Sequence, residues 1–258
     1  MRLAILQART SSSRLPGKVL RPILGVPMFL RQIERVTRSK KIDKFVVATS
    51  VNLFDDEIEK LCQSNGIKCF RGSLDDVLDR FYQTAVKFPA DHIVRLTADC
   101  PLADPAVIDR VIQYYESGNF DYVSNALEPT FPDGLDVEIF RAACLREAWK
   151  EAILPSEREH VTPFIYQHPA RYRIGHYKNA TDLSFLRWTV DEEADFQLIT
   201  QIYTHLYQNR PDFSTDDILA LLDRNPQMKT INTQIRRNEG LDKSLQEDAV
   251  FLRHDSTD

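Results

Sequence analysis

The chain has 258 residues, 43% hydrophobic and 28% charged, with a formal net charge of -5. That length suits one α/β domain with an insertion, and a core of that size needs no disulfide or metal staple. The acidic balance argues against nucleic acid as a partner, because such proteins carry a basic domain or stripe. No apolar run reaches the roughly 20 residues that span a membrane, so no membrane contact is expected. The four cysteines, Cys62, Cys69, Cys100 and Cys144, make no C-x-x-C pair and have no histidine at zinc spacing. They are expected as buried free thiols in a reducing cytoplasm, and the N-terminal apolar run is too short for a signal peptide.

The run "LAIL" predicts a first strand, followed by the polar loop 7–18. "FVVATS" (45–50) reads as a second strand. Phe54, Ile58, Leu61 and Cys62 then fall on one helix face, and "IKCFRG" reads as the next strand. A helical segment through Val77, Leu78, Phe81 and Tyr82 leads to "HIVRLTADC", a strand ending at Thr97–Asp99, and then to a helical stripe from Val107 to Tyr115. This alternation implies an α/β fold, a mainly parallel sheet with helices on both faces. From about 125 to 179 the pattern loosens. "PTFPDGLDVEIF" places turn signals ahead of a strand, helices are predicted near 141–151 and 158–168, and "RYRIGHY" reads as a strand. A helix resumes through Phe196–Leu206. The expected organisation is a single domain over 1–235, with 130–180 as an insertion or lid, and a polar tail over 236–258 that is poorly ordered at its end.

Residues 1–44 carry eleven Lys or Arg against two acids. Many of these cations belong on solvated helix faces, but Arg9, Arg14 and Lys18 share one loop with Ala8, Ser11, Ser12, Ser13 and Gly17. Ligands of open α/β sheets bind at the carboxyl ends of strands, where this loop sits. Small residues let backbone N–H groups approach a phosphate, and arginine can engage two oxygens. The loop is neither a Walker A sequence nor a G-x-G-x-x-G fingerprint, so composition leaves a phosphate loop and a plain basic loop both open. A triphosphate needs magnesium, and magnesium needs carboxylates. Asp99 follows a strand, and it is not needed as a helix cap because Asp104–Pro105 supplies one. Asp191, in "RWTVDEEADF", reads equally as a helix cap or a metal ligand.

"QARTSSSRLPGKVL" resembles the opening loop of the sugar cytidylyltransferases, with its A-R-x-x-S-x-R-x-x-x-K pattern. "FRGSLDDVLDRF", "RLTADCPLADP", "FPDGLDVEIF", "SEREHVTPFIY" and "LRWTVDEEADF" resemble successive blocks of the spore-coat polysaccharide protein F branch of the acylneuraminate and 3-deoxy-octulosonate cytidylyltransferase family, over roughly residues 1–210. The resemblance implies a nucleotide-diphospho-sugar transferase (GT-A-like, Rossmann-like) fold and transfer of CMP from CTP to an acidic sugar. Matched position by position, it implies that Ala8, Arg9, Ser13, Arg14 and Lys18 hold the nucleotide, with Arg71 and Ser73 near it. It also implies that Asp99 and Asp191 hold Mg²⁺, and that Asp133, Asp136 and Glu138 face the sugar. Asp133 reads equally as the acid of its Pro-Asp-Gly turn, and Asp136 and Glu138 as strand side chains pointing to solvent. "LTADCPLAD" departs from the hydroxyl-rich block of sialic-acid enzymes and from the acidic block of octulosonate enzymes, which leaves the sugar open.

The mechanism so implied is in-line attack of a sugar hydroxyl on the α-phosphorus with release of pyrophosphate, with Arg14, Lys18 and Asp99 as the catalytic set. An acceptor carboxylate needs a cation. Arg158 and Arg187 are candidates, the first weighed against a surface arginine in the acidic run "SEREH" and the second against a strand-edge salt bridge, and His160 is assigned no catalytic role. Three other readings stay open: a sugar phosphate, polyol phosphate or phosphonate as acceptor; a GT-A glycosyltransferase using Asp75, Asp76 and Asp79; and a nucleotide-binding module without turnover. The family likeness also implies a homodimer joined through 130–180.

Overall fold

The computed structural model describes residues 1–237 and 239–255, the side chains of 254 and 255 excepted. In chain order the strands are β1 (Arg2–Gln7), β2 (Pro22–Ile23), β3 (Val26–Pro27), β4 (Lys44–Ser50), β5 (Cys69–Gly72), β6 (His92–Thr97), β7 (Tyr122–Ser124), β8 (Glu138–Arg141) and β9 (Ile174–His176). The α-helices are α1 (Met28–Val36), α2 (Asp56–Ser64), α3 (Val77–Lys87), α4 (Pro105–Ser117), α5 (Ala142–Glu151), α6 (Pro155–His160), α7 (Pro163–Tyr166), α8 (Glu193–Leu206), α9 (Thr215–Arg224) and α10 (Glu239–Asp255). β2 and β3 form a separate hairpin. The other seven strands form one sheet in the order β5-β4-β1-β6-β8-β7-β9, parallel except where β8 runs against β6 and β7.

Side chains alternate across each strand, and β1 shows what this does. Ala4 and Leu6 face a core built with Phe29 and Ile33 of α1, Ile108 and Ile112 of α4 and Ile199 of α8. Leu3 and Ile5 face a second core with Leu78 and Phe81 of α3, Leu145 of α5 and Phe164 of α7. The sheet is thus buried on both faces, as near-continuous apolar strands require.

Four features differ from the sequence reading. Segment 130–180 is woven into the architecture, because it supplies β8 and β9 to the main sheet. The helix expected over 158–168 is two short ones, broken where Val161 takes φ 72°. Pro163 begins the second, at the first helical position, where its missing N–H leaves no bond unmade. Phe54 lies ahead of α2 and is 77% exposed. The polar tail contains α10, whose Asp248 carboxylate accepts from the Ser156 N–H (2.9 Å) and hydroxyl at the start of α6. The expected disorder at the tail's end falls on 256–258, outside the described residues.

Candidate active site

A cavity of about 550 Å³ opens at the carboxyl ends of β1 and β6, between the first loop, α3, α6 and α10. The loop is shaped from beneath by Asp55, which is 1% exposed. Its carboxylate accepts from the Thr10 N–H (2.8 Å) and hydroxyl (2.7 Å). Thr10 O in turn accepts from the N–H groups of Ser12 and Gly17, both at 2.9 Å. Gly17 takes φ 68°, a left-handed turn that glycine makes at little cost. The turn feeds a 3-10 segment, Lys18–Leu20, that buries the lysine stem.

Lys18 is the centre of the site. Its ammonium donates to Val190 O at 2.7 Å, Asp191 Oδ1 at 2.9 Å and Asp99 Oδ2 at 3.2 Å. Burial alone would lower the lysine pKa, but the two carboxylates raise it. Burial alone would raise Asp99, but the Lys18 charge, with hydrogen bonds from Thr97 and Lys18, holds it at about 2. The helix-cap alternatives for both aspartates fall away. Asp104 caps α4 by accepting from Ala106 N–H at 2.8 Å. At α8 the capping carboxylate is Asp195, which accepts from the N–H groups of Asp191 (2.9 Å) and Glu192 (3.0 Å). The Asp191 side chain is thereby released to meet Lys18, Arg14 (2.9 Å) and Arg187 (2.7 Å).

The remaining loop cations also hold carboxylates. Arg14 reaches Glu239 at the start of α10 (3.0 Å), and Arg9 reaches Glu159 on α6 (3.3 Å). Ala8 and Ser13 line the cavity with Arg9, Arg14, Lys18, Asp99 and Asp191.

Other residues singled out from the sequence do not line it. Arg71 is spent on Asp56 (2.7 Å), Glu59 (2.9 Å) and the carbonyls of Ser50 and Asn52. Ser73 sits at the α3 turn, where its hydroxyl accepts from Asp76 N–H at 3.0 Å and its carbonyl from Arg80 Nη1 at 2.8 Å. Arg158 clamps Asp76 and donates to Trp149 O at 2.9 Å, which ties α6 to α3 and α5. Arg187 is not free for a substrate carboxylate: it is buried against Asp133 (2.8 Å), Asp191 and Asp195 (3.0 Å). These partners raise its pKa although burial opposes them.

The Pro132–Asp133–Gly134 turn packs on the strand end beside Arg187. Gly134 has φ 106°, and a Cβ there would lie 2.4 Å from Thr189 N, so the turn admits no side chain at that position. Asp136 pairs with Arg237 at 2.9 Å; burial, partly offset by Arg237 and reinforced by Asp133, lifts its pKa to about 7. Glu138 does not point to solvent. It is buried, accepting from Arg95 (2.7 Å), the Tyr122 hydroxyl (2.8 Å) and the Thr162 hydroxyl (2.9 Å). Asp76 and Asp79, two of the three acids of the glycosyltransferase alternative, serve α3: Asp76 accepts from Asp79 N–H and Asp79 from Trp149 Nε1, both at 2.8 Å.

The cavity also contains side chains that sequence reasoning passed over: Gln7, Arg80, Arg95, and Lys243 and Ser244 of α10. The signal for Arg95 was available, since "HIVRLT" sets one cation into an otherwise apolar central strand. His160 is there too, its Nε2 2.9 Å from Ser244 Oγ. Its pKa is lowered by burial and by the Arg95 charge.

The sequence pattern of the family described as "Cytidylyltransferase" matches residues 3–218. The chain belongs to the cytidylyltransferase family. It is similar to the spore coat polysaccharide biosynthesis protein SpsF of Bacillus subtilis, with 36% identity over 88% of this chain and 96% of that protein. It is similar to the 3-deoxy-manno-octulosonate cytidylyltransferase of Chlamydia trachomatis serovar A, with 28% identity over 83% of this chain and 89% of that protein. Among solved structures, a cytidylyltransferase from Leptospira borgpetersenii superposes with a TM-score of 0.85 at 30% identity, covering 92% of this chain and 99% of that one. The chain is a CTP-dependent nucleotidyltransferase, which removes the glycosyltransferase and non-catalytic readings. No helix among the described residues is long and apolar enough to cross a membrane.

Proposed function

We propose that the enzyme transfers CMP from CTP to a hydroxyl of an acidic sugar of the ulosonic or nonulosonic type, releasing pyrophosphate, in the synthesis of surface polysaccharide or glycoconjugate. The observation that carries the reading is the Lys18 ammonium joining Asp99 and Asp191 at the foot of a basic loop. Two carboxylates that already share one cation suit Mg²⁺, which is commonly held by one or two carboxylates plus substrate phosphates. Among the described residues no group of three or more His, Cys, Asp or Glu could hold a metal, so phosphate oxygens would complete the shell. When bound, the ion would polarise the α-phosphate and lower the pKa of the attacking hydroxyl.

The chain's own part is positioning and charge neutralisation. Arg14 and Lys18 would exchange their carboxylate partners for phosphate oxygens and stabilise the charge that develops on pyrophosphate. Arg158 and Arg187 lie outside the cavity lining, and Arg95, which is part of it, is the cation assigned here to an acceptor carboxylate. Glu138 orients it across the strand pair, and its buried Nε has no partner. As part of the same reading the enzyme works in the cytoplasm as a homodimer, which sedimentation velocity tests.

The deciding experiment measures pyrophosphate release with each of the four nucleoside triphosphates, Mg²⁺, and a panel of sugar acids and sugar phosphates. Turnover with CTP and a sugar acid, lost in Asp99→Asn, supports the proposal. Turnover confined to sugar phosphates would overturn the acidic-sugar part and leave the nucleotidyl chemistry standing.

A further inference from the structure

The helix α10 lies beyond residues 3–218, which the family pattern matches, yet it walls the cavity. Glu239, Gly240, Lys243, Ser244 and Glu247 line the space, and their spacing puts them on one helix face. The helix carries five acids (Glu239, Asp242, Glu247, Asp248 and Asp255) against Lys243 and Arg253. An acidic helix thus rests on the basic loop. We propose that α10 is an autoinhibitory segment: docked as in this structure it holds carboxylates where the nucleotide's phosphates would sit, and the nucleotide binds as the helix leaves the cavity. This rests on the reading of the loop as a phosphate site and adds regulation to it.

Arg14 shows the competition most directly. Each of its three guanidinium nitrogens faces a carboxylate: Nη1 meets Glu239 at 3.0 Å, Nη2 meets Asp191 at 2.9 Å and Nε faces Glu192 at 3.9 Å. Arginine binds carboxylate and phosphate through the same planar fork, so a phosphate must displace one of them. Asp191 and Glu192 are fixed at the start of α8 by their N–H bonds to Asp195. Glu239 is the one that can leave with its helix. Arg9 is held less directly. Its partner Glu159 accepts from the Ser244 hydroxyl at 3.2 Å, and the same hydroxyl lies 2.9 Å from His160 Nε2. Two of the three loop cations are therefore occupied by carboxylates that α10 supplies or steadies.

The attachment of α10 is of a kind that can be released. Among its described side chains Ser244 and Asp248 alone are buried, whereas Leu245, Val250 and Phe251 are exposed. Undocking would bare little apolar surface, and the polar bonds it breaks are replaced by water or by phosphate. Elements held this way open at low free energy. By linkage, docking of α10 and binding of phosphate each weaken the other by the same factor.

The first test is hydrogen–deuterium exchange of the full-length wild type, alone and with CTP, inorganic pyrophosphate or cytidine. A helix of this length is marginal in water once released. CTP and pyrophosphate should therefore speed exchange across α10 by about tenfold while slowing it in the loop 7–18, and cytidine, which has no phosphate, should leave α10 unchanged. The second test is Asp248→Ala, which removes the bonds to Ser156 outside the cavity. Its calorimetric Kd for CTP and for pyrophosphate should fall about tenfold, the effect of one charge-assisted hydrogen bond on the open fraction. Circular dichroism checks its fold, and if it does not fold, exchange in the wild type decides. Slower exchange of α10 with CTP would make the helix a roof that closes on the nucleotide and would overturn the proposal. So would unchanged α10 exchange beside a protected loop, or weaker CTP binding by folded Asp248→Ala. Absence of any CTP binding or loop protection would overturn the phosphate-site reading itself, and this proposal with it.

Discussion

The two ends of the cavity solve the problem of buried charge in opposite ways. At the loop end, Arg9, Arg14 and Lys18 each hold a carboxylate of the protein: Glu159, Glu239 with Asp191, and Asp99 with Asp191. At the sheet end, Gln7, Arg80 and Arg95 each keep a buried atom without a partner, although Arg95 also holds Glu138 at 2.7 Å. A paired cation must trade one anion for another when ligand arrives, so the gain is the difference between two ion pairs. An unpartnered donor gains a bond outright. On the proposed reading, charge on the loop would govern chemistry and salt dependence, and the sheet end would contribute bonds that no protein group competes for.

The largest effect separating the two ends should come from Lys18→Met. Loss of the ammonium leaves Asp99 and Asp191 without their shared cation and removes the donor proposed for the phosphates. Pyrophosphate-release assays should show kcat/KM lower by about 10³-fold, the upper range for deleting one preorganised charge. With the lysine charge gone, Asp99 should titrate above its present value of about 2, visible in the pH dependence of nucleotide binding. Retained activity would show that the carboxylates work without the bridging cation.

Arg187→Met should act on stability as strongly as Lys18→Met acts on rate. It leaves Asp133, Asp191 and Asp195 without their shared guanidinium, and breaking a buried ion pair from one side costs about 3–5 kcal/mol. Thermal melting should show a large drop. A small drop would mean that Arg237, which lies 3.9 Å from Asp133, takes over the cluster.

Much of this was legible in the sequence, for physical reasons. Strand and helix periodicity is a local property of burial on two faces, so β1, β4, β6 and α4 stood out at once. The loop was legible because cations among small residues at a strand end have few structural uses. The partners of single arginines were not legible. Arg71, Arg158 and Arg187 were expected at substrate, yet each is consumed by acids distant in sequence or brought near by folding, such as Asp76 for Arg158, 82 residues away. Conversely Arg80 reads as one more polar position on a helix, and only the packing of α3 against the sheet reveals that it is buried. α10 was hidden because its composition is polar; what orders it is contact with α6 through Asp248, not an apolar stripe strong enough to see.

Arg95→Met should give an intermediate effect and test the division between the two ends. CTP affinity should hold within about twofold, while KM for the acceptor rises about 10- to 100-fold, the range for a charge-assisted hydrogen bond. Because the change strands Glu138 in a buried site, Arg95→Met with Glu138→Gln is the control that keeps the strand pair neutral. A rise in the Kd for CTP instead would move Arg95 to the nucleotide.

The smallest effect, and the one whose sign is most informative, belongs to Glu239→Gln. The Arg14–Glu239 pair is partly exposed, with side chains 32% and 44% accessible, and such pairs contribute only about 0.2–1 kcal/mol. On the proposed reading the carboxylate would nevertheless compete with triphosphate for the same guanidinium. Removing its charge should therefore tighten CTP binding by about 1.5- to 5-fold, and the gain should shrink as salt screens the pair. The same substitution weakens the tie between α10 and the loop, while the bonds from Ser156 to Asp248 keep the helix on α6. If CTP binding weakened instead, Glu239 would be holding α10 in place for the nucleotide rather than occupying its anchor. The loop end would then resemble the sheet end in needing ligand and protein groups together, and the contrast between the two would narrow to Lys18 and its aspartates.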